Sequence, residues 1–132
     1  WITELVNHSV PTIYGDGKTS RDFCYVDDVV HANLLAAAVE NSKAVNQVYN
    51  IACGTATTLN KLYDMIQENL IRFHPEVAKI RPHYGDFRPG DVRHSMADIS
   101  KAKQFLGYIP EYDVLEGLNE TVGWHVKNMV SH

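Results

Sequence analysis

Cysteine is scarce: the 132 residues hold two, Cys24 and Cys53, at a spacing that matches no zinc or redox motif. A disulfide framework is thereby excluded, and both thiols are expected in buried, strand-like settings. Nothing demands an oxidising compartment, so cytoplasm is the default expectation. Basic residues are in deficit, 12 Lys and Arg against 16 Asp and Glu, for a net charge of -4. That balance excludes a broad basic face for DNA or RNA. No apolar run reaches the roughly 18 residues that a membrane helix needs, so no membrane partner is expected. Seven histidines are scattered without a His-x-x-x-His or His/Cys cluster, so no metal site is expected. No strand is followed by a G-x-G-x-x-G loop, and the chain therefore carries no dinucleotide fingerprint of its own. It opens at Trp1 without an initiator Met or a signal peptide, as expected of a piece of something longer.

What is present is ordinary globular composition, 45% hydrophobic and 21% charged, enough for one core over residues 1–132. Trp1 to His8 reads as the tail of a helix. Thr12 to Tyr14 is a short β-prone run closed by the turn Gly15-Asp16-Gly17. Phe23 to Val26 and Val48 to Ala52 read as further strands, the second one buried. Asp27 or Asp28 is placed to cap a helix running to about Asn41, with Val30, Leu34, Ala37 and Ala38 on one face. Thr57 or Thr58 caps the next, in which Leu59, Leu62, Ile66 and Leu70 repeat at helical spacing. Ala78 to Tyr84 reads as a strand and Phe87 to Ser95 as a polar loop. Asp98 caps a short helix ending near Gly107, and the last helix aligns Leu115, Leu118, Val122, Val126 and Met129. Short strands alternating with helices predict a mixed α/β domain.

Two arginine-centred strings flank turns: Gly15-Asp16-Gly17-Lys18-Thr19-Ser20-Arg21-Asp22-Phe23 and Arg88-Pro89-Gly90-Asp91-Val92-Arg93-His94. Guanidinium forks bind phosphate oxygens in a bidentate way, and a diphosphate calls for more than one cation. The plainer alternative pairs Arg21 and Arg88 with Asp22, Asp91 or another surface acid, and on composition alone that is the commoner outcome.

At these strings the chain resembles a known family. GDGKTSRDFCYVDDVVHANLLAA, VYNIACG followed by TTLNKL, and FRPGDVRHSMADISKAKQFLGYIP resemble the C-terminal half of extended short-chain dehydrogenase/reductases. The likeness is greatest to nucleotide-sugar 4-epimerases, and among them to the UDP-N-acetylglucosamine 4-epimerases of surface-polysaccharide pathways. The resemblance implies that 1–132 is the C-terminal, substrate-binding part of such an enzyme, with the Rossmann half absent. It implies that Arg21 and Arg88 contact the substrate diphosphate and that Asp91 lies near the ribose. Thr12, Ile13 and Tyr14 would line the uridine pocket, and Trp1 aligns with a tryptophan at the end of the segment that shapes the nucleotide pocket. It also implies a UDP-sugar as partner and NAD as cofactor, bound by the absent N-terminal half, and a homodimer for the full-length protein.

In that family a helical Tyr-x-x-x-Lys pair removes the C4 hydroxyl proton while hydride passes to NAD; the 4-keto sugar rotates and hydride returns to its other face. The literal match here, Tyr14 to Lys18, is rejected as catalytic because Gly15 and Gly17 make it a turn. No catalytic residue is therefore expected in this chain, and alone it should not turn over. The alternatives are a sugar-nucleotide dehydratase or decarboxylase sharing this half, a non-catalytic nucleotide-sugar binding module, and an α/β interaction domain with structural ion pairs.

Overall fold

In the computed structural model, which describes residues 1–129, ten short elements follow one another. They are α1 (Ile2–Val6), β1 (Thr12–Tyr14), β2 (Ser20–Arg21), α2 (Val26–Ala38), β3 (Thr57–Thr58), α3 (Leu59–Ile71), a 3-10 turn (Pro75–Lys79), β4 (His83–Gly85), α4 (Ser100–Leu106) and α5 (Val114–Met129). β1 pairs in parallel with β4, Ile13 opposite Tyr84; β2 pairs antiparallel with β3, Arg21 opposite Thr57. The result is the expected mixed α/β domain, organised as two small sheets.

Two apolar clusters hold these pieces together. In the first, α3 turns Tyr63, Ile66 and Leu70 onto Leu5 of α1, Ile13 of β1, Val77 and Val122 of α5. Each such buried aliphatic side chain contributes about 1.5–3 kcal/mol relative to exposure. Leu59 and Leu62, the other two members of the expected stripe, pack at the edge of this cluster. Thr58 caps α3 by accepting from the Lys61 N–H at 3.2 Å, and the buried Asn69 is satisfied by donating to the Met65 carbonyl. Leu118 and Val126 of α5 pack on the same cluster while Leu115 stays exposed; the side chain of Met129 lies outside the described residues. α5 opens with a reciprocal box, Asp113 accepting from the Leu115 and Glu116 N–H groups while Glu116 accepts from Asp113 N–H.

The second cluster joins Ala32 of α2, Ala44, Ala52, Ile99, Ala102, Leu106 and Tyr108. Gly107 takes a left-handed conformation that ends α4 and lets the Tyr108 N–H reach back to the Ala102 carbonyl. Tyr108 is fully buried, its hydroxyl donating to Ala52 O at 3.0 Å.

Several expected elements differ. Val48 to Ala52 forms no strand: no segment among the described residues pairs with it, and Val48 is 84% exposed. A strand sequence without a neighbour has no ladder to join. Phe23 to Val26 is likewise no strand, and Val26 already begins α2, which ends at Ala38 rather than Asn41. The side of α2 carrying Val30, Leu34, Ala37 and Ala38 faces outward; Ala32 and Leu35 turn inward instead. Asp28 does not cap its own helix. It is buried, and its carboxylate accepts from the Glu111 and Tyr112 N–H groups across the molecule. The span 78–84 splits into the end of the 3-10 turn and the start of β4 around Pro82, which has no N–H to give a ladder.

Candidate functional site

β1 supplies the first two walls of an open cleft. Side chains alternate along a strand, so Thr12 and Tyr14 line the cleft while Ile13 enters the first core cluster and is fully buried. Trp1 stands at the mouth: its indole N–H donates to the Thr12 carbonyl at 3.1 Å, and its ring meets Tyr63 edge-on at 6.1 Å. After Tyr14 the chain reverses through Gly15, whose positive φ brings its Cα against the Phe87 ring; a Cβ there would lie 2.5 Å from that ring.

The facing wall is the loop 87–95. It is fastened to β2 by Ser20 N–H to Arg93 O, Ser95 N–H to Ser20 O, and a 2.9 Å bond between Ser20 Oγ and His94 Nδ1. A second fastening joins it to the turn, where Arg93 pairs with Asp16 at 2.6 Å. That bond is the chief reason the Asp16 carboxyl is lowered from 3.8 to about 2, helped by the Lys18 N–H. So held, the loop lays the Arg88 guanidinium 3.9 Å above the centre of the Tyr14 ring. Asp91 follows on the same turn, with its N–H on the Arg88 carbonyl.

Trp1, Glu4, Thr12, Tyr14, Leu59, Arg88 and Asp91 thus enclose about 440 Å³. Five of the seven residues singled out in the sequence line this one cleft. Arg21 stands behind it, donating to the Asp91 carboxylate and to the Ser20 carbonyl. Ile13 is the other exception, because strand alternation sends its side chain to the core. Glu4 and Leu59 were missed; each is the cleft-facing residue of an amphipathic helix and has no motif to mark it.

The cleft has an uneven charge. Arg21 is neutralised by Asp91, as the ion-pair alternative anticipates, whereas Arg88 has no acidic or hydrogen-bonding partner for its guanidinium among the described residues. A cation stacked on a phenol, beside an indole and an Arg–Asp pair, can take an anion together with a flat ring or a polyol. Proton transfer is another matter. Tyr14 lies in a strand and Lys18 beyond two glycines with positive φ, so they do not share a helix face. The thiols offer no nucleophile either: burial pushes Cys53 up to about 12 and raises Cys24.

The residue most active in holding the site together is one that motif reading left aside. Asp22 accepts from the N–H groups of Cys53 (3.0 Å), Gly54 (2.9 Å) and Ala97 (3.3 Å), tying the end of β2 to two distant loops. No described strand runs through a glycine-rich turn into a helix N-terminus, so these residues do not fit a dinucleotide cradle. Among the described residues no helix is long and apolar enough to cross a membrane.

Comparison with known proteins places the fold. The pattern of the GDP-mannose 4,6 dehydratase family matches residues 2–121. The chain is 38% identical to a UDP-glucose 4-epimerase from Thermotoga maritima solved with UDP-glucose, covering 97% of this chain and 38% of that one, with a TM-score of 0.84. It is 39% identical to the UDP-N-acetylglucosamine 4-epimerase of Methanobrevibacter ruminantium M1, solved with UDP-N-acetylmuramic acid, over 97% and 38% of the two chains, with a TM-score of 0.83. MoeE5, solved with UDP-glucuronic acid and NAD, is 33% identical over 96% and 40%, with a TM-score of 0.78. The chain therefore spans about two-fifths of the length of these three proteins, 38% in the first two. With a family pattern matched over nearly its whole length and this fold shared with UDP-sugar epimerases, the chain belongs to the GDP-mannose 4,6 dehydratase family of extended short-chain dehydrogenase/reductases.

Proposed function

We propose that residues 1–132 are the C-terminal, substrate-binding part of an NAD-dependent UDP-sugar 4-epimerase, and that the cleft receives the UDP moiety. The observation that carries this is the unpaired Arg88 guanidinium, fixed over Tyr14 inside a cleft that also holds Trp1, Thr12 and Asp91. Arg88 binds the diphosphate. Arg21 adds a second cation once its partner Asp91 turns to the ribose hydroxyls. The backbone around Ile13 and the side chains of Thr12, Tyr14 and Trp1 flank the uracil. These contacts orient a substrate; they move neither proton nor hydride. NAD and the catalytic Tyr and Lys belong to a further, N-terminal domain, which accords with a chain spanning two-fifths of its relatives and with the bare outer face of α2. UDP-N-acetylhexosamines are the substrates we favour, in a cytoplasmic, homodimeric enzyme of polysaccharide precursor synthesis.

Calorimetric titration of UDP into the chain tests the cleft. Arg88→Ala should weaken binding by about tenfold to a hundredfold, the worth of one charge-assisted bond. Unchanged affinity removes Arg88 from the site, and a parent chain with no UDP affinity leaves Arg21 as a structural ion pair with Asp91 and Arg88 as a cation stacked on Tyr14. The family's own description favours a second reading, a sugar-nucleotide dehydratase. The product separates them: an epimerase leaves the sugar nucleotide's mass unchanged, a dehydratase removes water and a decarboxylase carbon dioxide.

A further inference from the structure

Two thiols and a buried carboxylate converge outside the residues that line the cleft. Cys24 lies in the extended segment between β2 and α2, Asp28 in the first turn of α2, and Cys53 in the loop before β3. Their ligand atoms, two Sγ and a carboxylate oxygen, all lie within 4.8 Å of one another. Backbone N–H groups and one buried hydroxyl fix this grouping from three sides. Asp28 is held by the Glu111 and Tyr112 N–H groups, Cys53 N–H is held by Asp22, and Cys24 Sγ sits 3.9 Å from the Tyr108 hydroxyl.

The neighbourhood is rich in electron pairs and poor in positive charge. Cys24 Sγ lies 3.6 Å from the Tyr25 carbonyl and Cys53 Sγ 3.5 Å from the Tyr112 carbonyl. Neither Asp22 nor Asp28 has an ion-pair partner among the described residues. Asp28 is buried and Asp22 partly so, each offset by backbone N–H groups alone, and a cation would add the counter-charge that neither has.

We propose that Cys24, Cys53 and Asp28 bind one soft divalent metal ion of the zinc class, with water as the fourth ligand. Thiolate and carboxylate suit such an ion at about 2.3 Å for sulfur and about 2.0–2.2 Å for oxygen. A tetrahedral shell on those bonds needs ligand atoms about 3.5–4 Å apart, so the present grouping closes by modest side-chain rotation. Each thiol gives its proton to solvent as its metal–sulfur bond forms, leaving two thiolates on the dication. Cys24 also lines a pocket of about 230 Å³ beside Phe23 and Gly117, which gives the ion a way in. No familiar zinc spacing announces the site because its ligands come from an extended segment, the first turn of α2 and a distant loop.

The test is a cadmium titration of the reduced, chelator-treated chain, following the sulfur-to-cadmium charge-transfer band in the ultraviolet. The band should grow and stop at one ion per chain while light scattering reports no change in mass. Cys24→Ser and Cys53→Ser, each checked for fold by circular dichroism, should each weaken cadmium by about tenfold or more. Asp28→Asn, which keeps an acceptor for the Glu111 N–H, should weaken it with the band retained. Absence of a band overturns the proposal. So does saturation at half an ion per chain with doubled mass, which marks thiols of two copies sharing the ion. Unchanged affinity in any of the three folded variants also overturns it.

Discussion

Replacing Asp22 by Ala removes the acceptor of three backbone N–H groups at once, and the size of the loss follows from the geometry. Two of the bonds are short, to Cys53 and Gly54, and the third, to Ala97, is long at 3.3 Å. A hydrogen bond to a charged group is worth about 1.5–3 kcal/mol, the more so when its partner is left unsatisfied. Water reaches these half-buried groups, so the three together should cost about 3 kcal/mol rather than the full sum. Against a domain stability of about 5–15 kcal/mol that is a large share, and for a chain of this size it lowers Tm by about 10 °C. Asp22→Asn is the informative partner. With its carbonyl oxygen toward Gly54 and Ala97, its amide must face the Cys53 N–H, donor against donor; flipped, it faces two donors instead. Asn therefore keeps two bonds of three, and its Tm should fall between those of Ala and the parent. Thermal melts of the three chains decide it. An Ala variant within a degree or two of the parent, or an Asn variant no better than Ala, would refute the reasoning.

Further expectations follow from single contacts. Thr58→Ala removes the side-chain cap of α3 and should cost about 1 kcal/mol in urea unfolding, with Thr58→Ser restoring most of it. Asp16 has its carboxyl lowered from 3.8 to about 2 by Arg93, so its contribution to stability is fully present above 3.8 and is lost as pH falls through 2. The stability difference between the parent and Asp16→Asn should thus be flat above that range, shrink within it and vanish only below about 2. A difference that grows on acidification contradicts the pairing.

The parts of the fold legible in the sequence are those decided within a few residues. β1 with its Gly15 turn, the Thr58 cap, the Gly107 stop and the α3 and α5 stripes all rest on local conformation or on a single helical face. What escaped depends on partners far along the chain. β2 is two polar residues, and it is a strand because Thr57, Thr58 and His94 come alongside. Asp28 reads as a cap by position and serves instead as an anchor for residues 111 and 112, which no spacing foretells. The cleft divides the same way. Its arginines and aromatics fall in recognisable strings, while Glu4 and Leu59 enter only through the packing of α1 and α3.

The outer face of α2 shows how far helical periodicity reaches. It tells that Val30 and Leu34 share a side but not what covers that side. Among the described residues nothing does: Val26, Val30 and Leu34 are 61%, 51% and 63% exposed. Little apolar area is taken from water there, so Val30→Thr with Leu34→Gln should change stability by no more than about 0.5 kcal/mol. Leu70, by contrast, is fully buried among Leu5, Ile13 and Val77, and Leu70→Ala should cost about 2–5 kcal/mol for the same kind of residue. Melting both variants at two protein concentrations separates the possible causes of a discrepancy. A large loss in the α2 variant at every concentration means that the face is covered within the chain, contrary to this structure. A loss that grows with concentration means that copies of the chain cover it for one another, as an apolar stripe of this width permits.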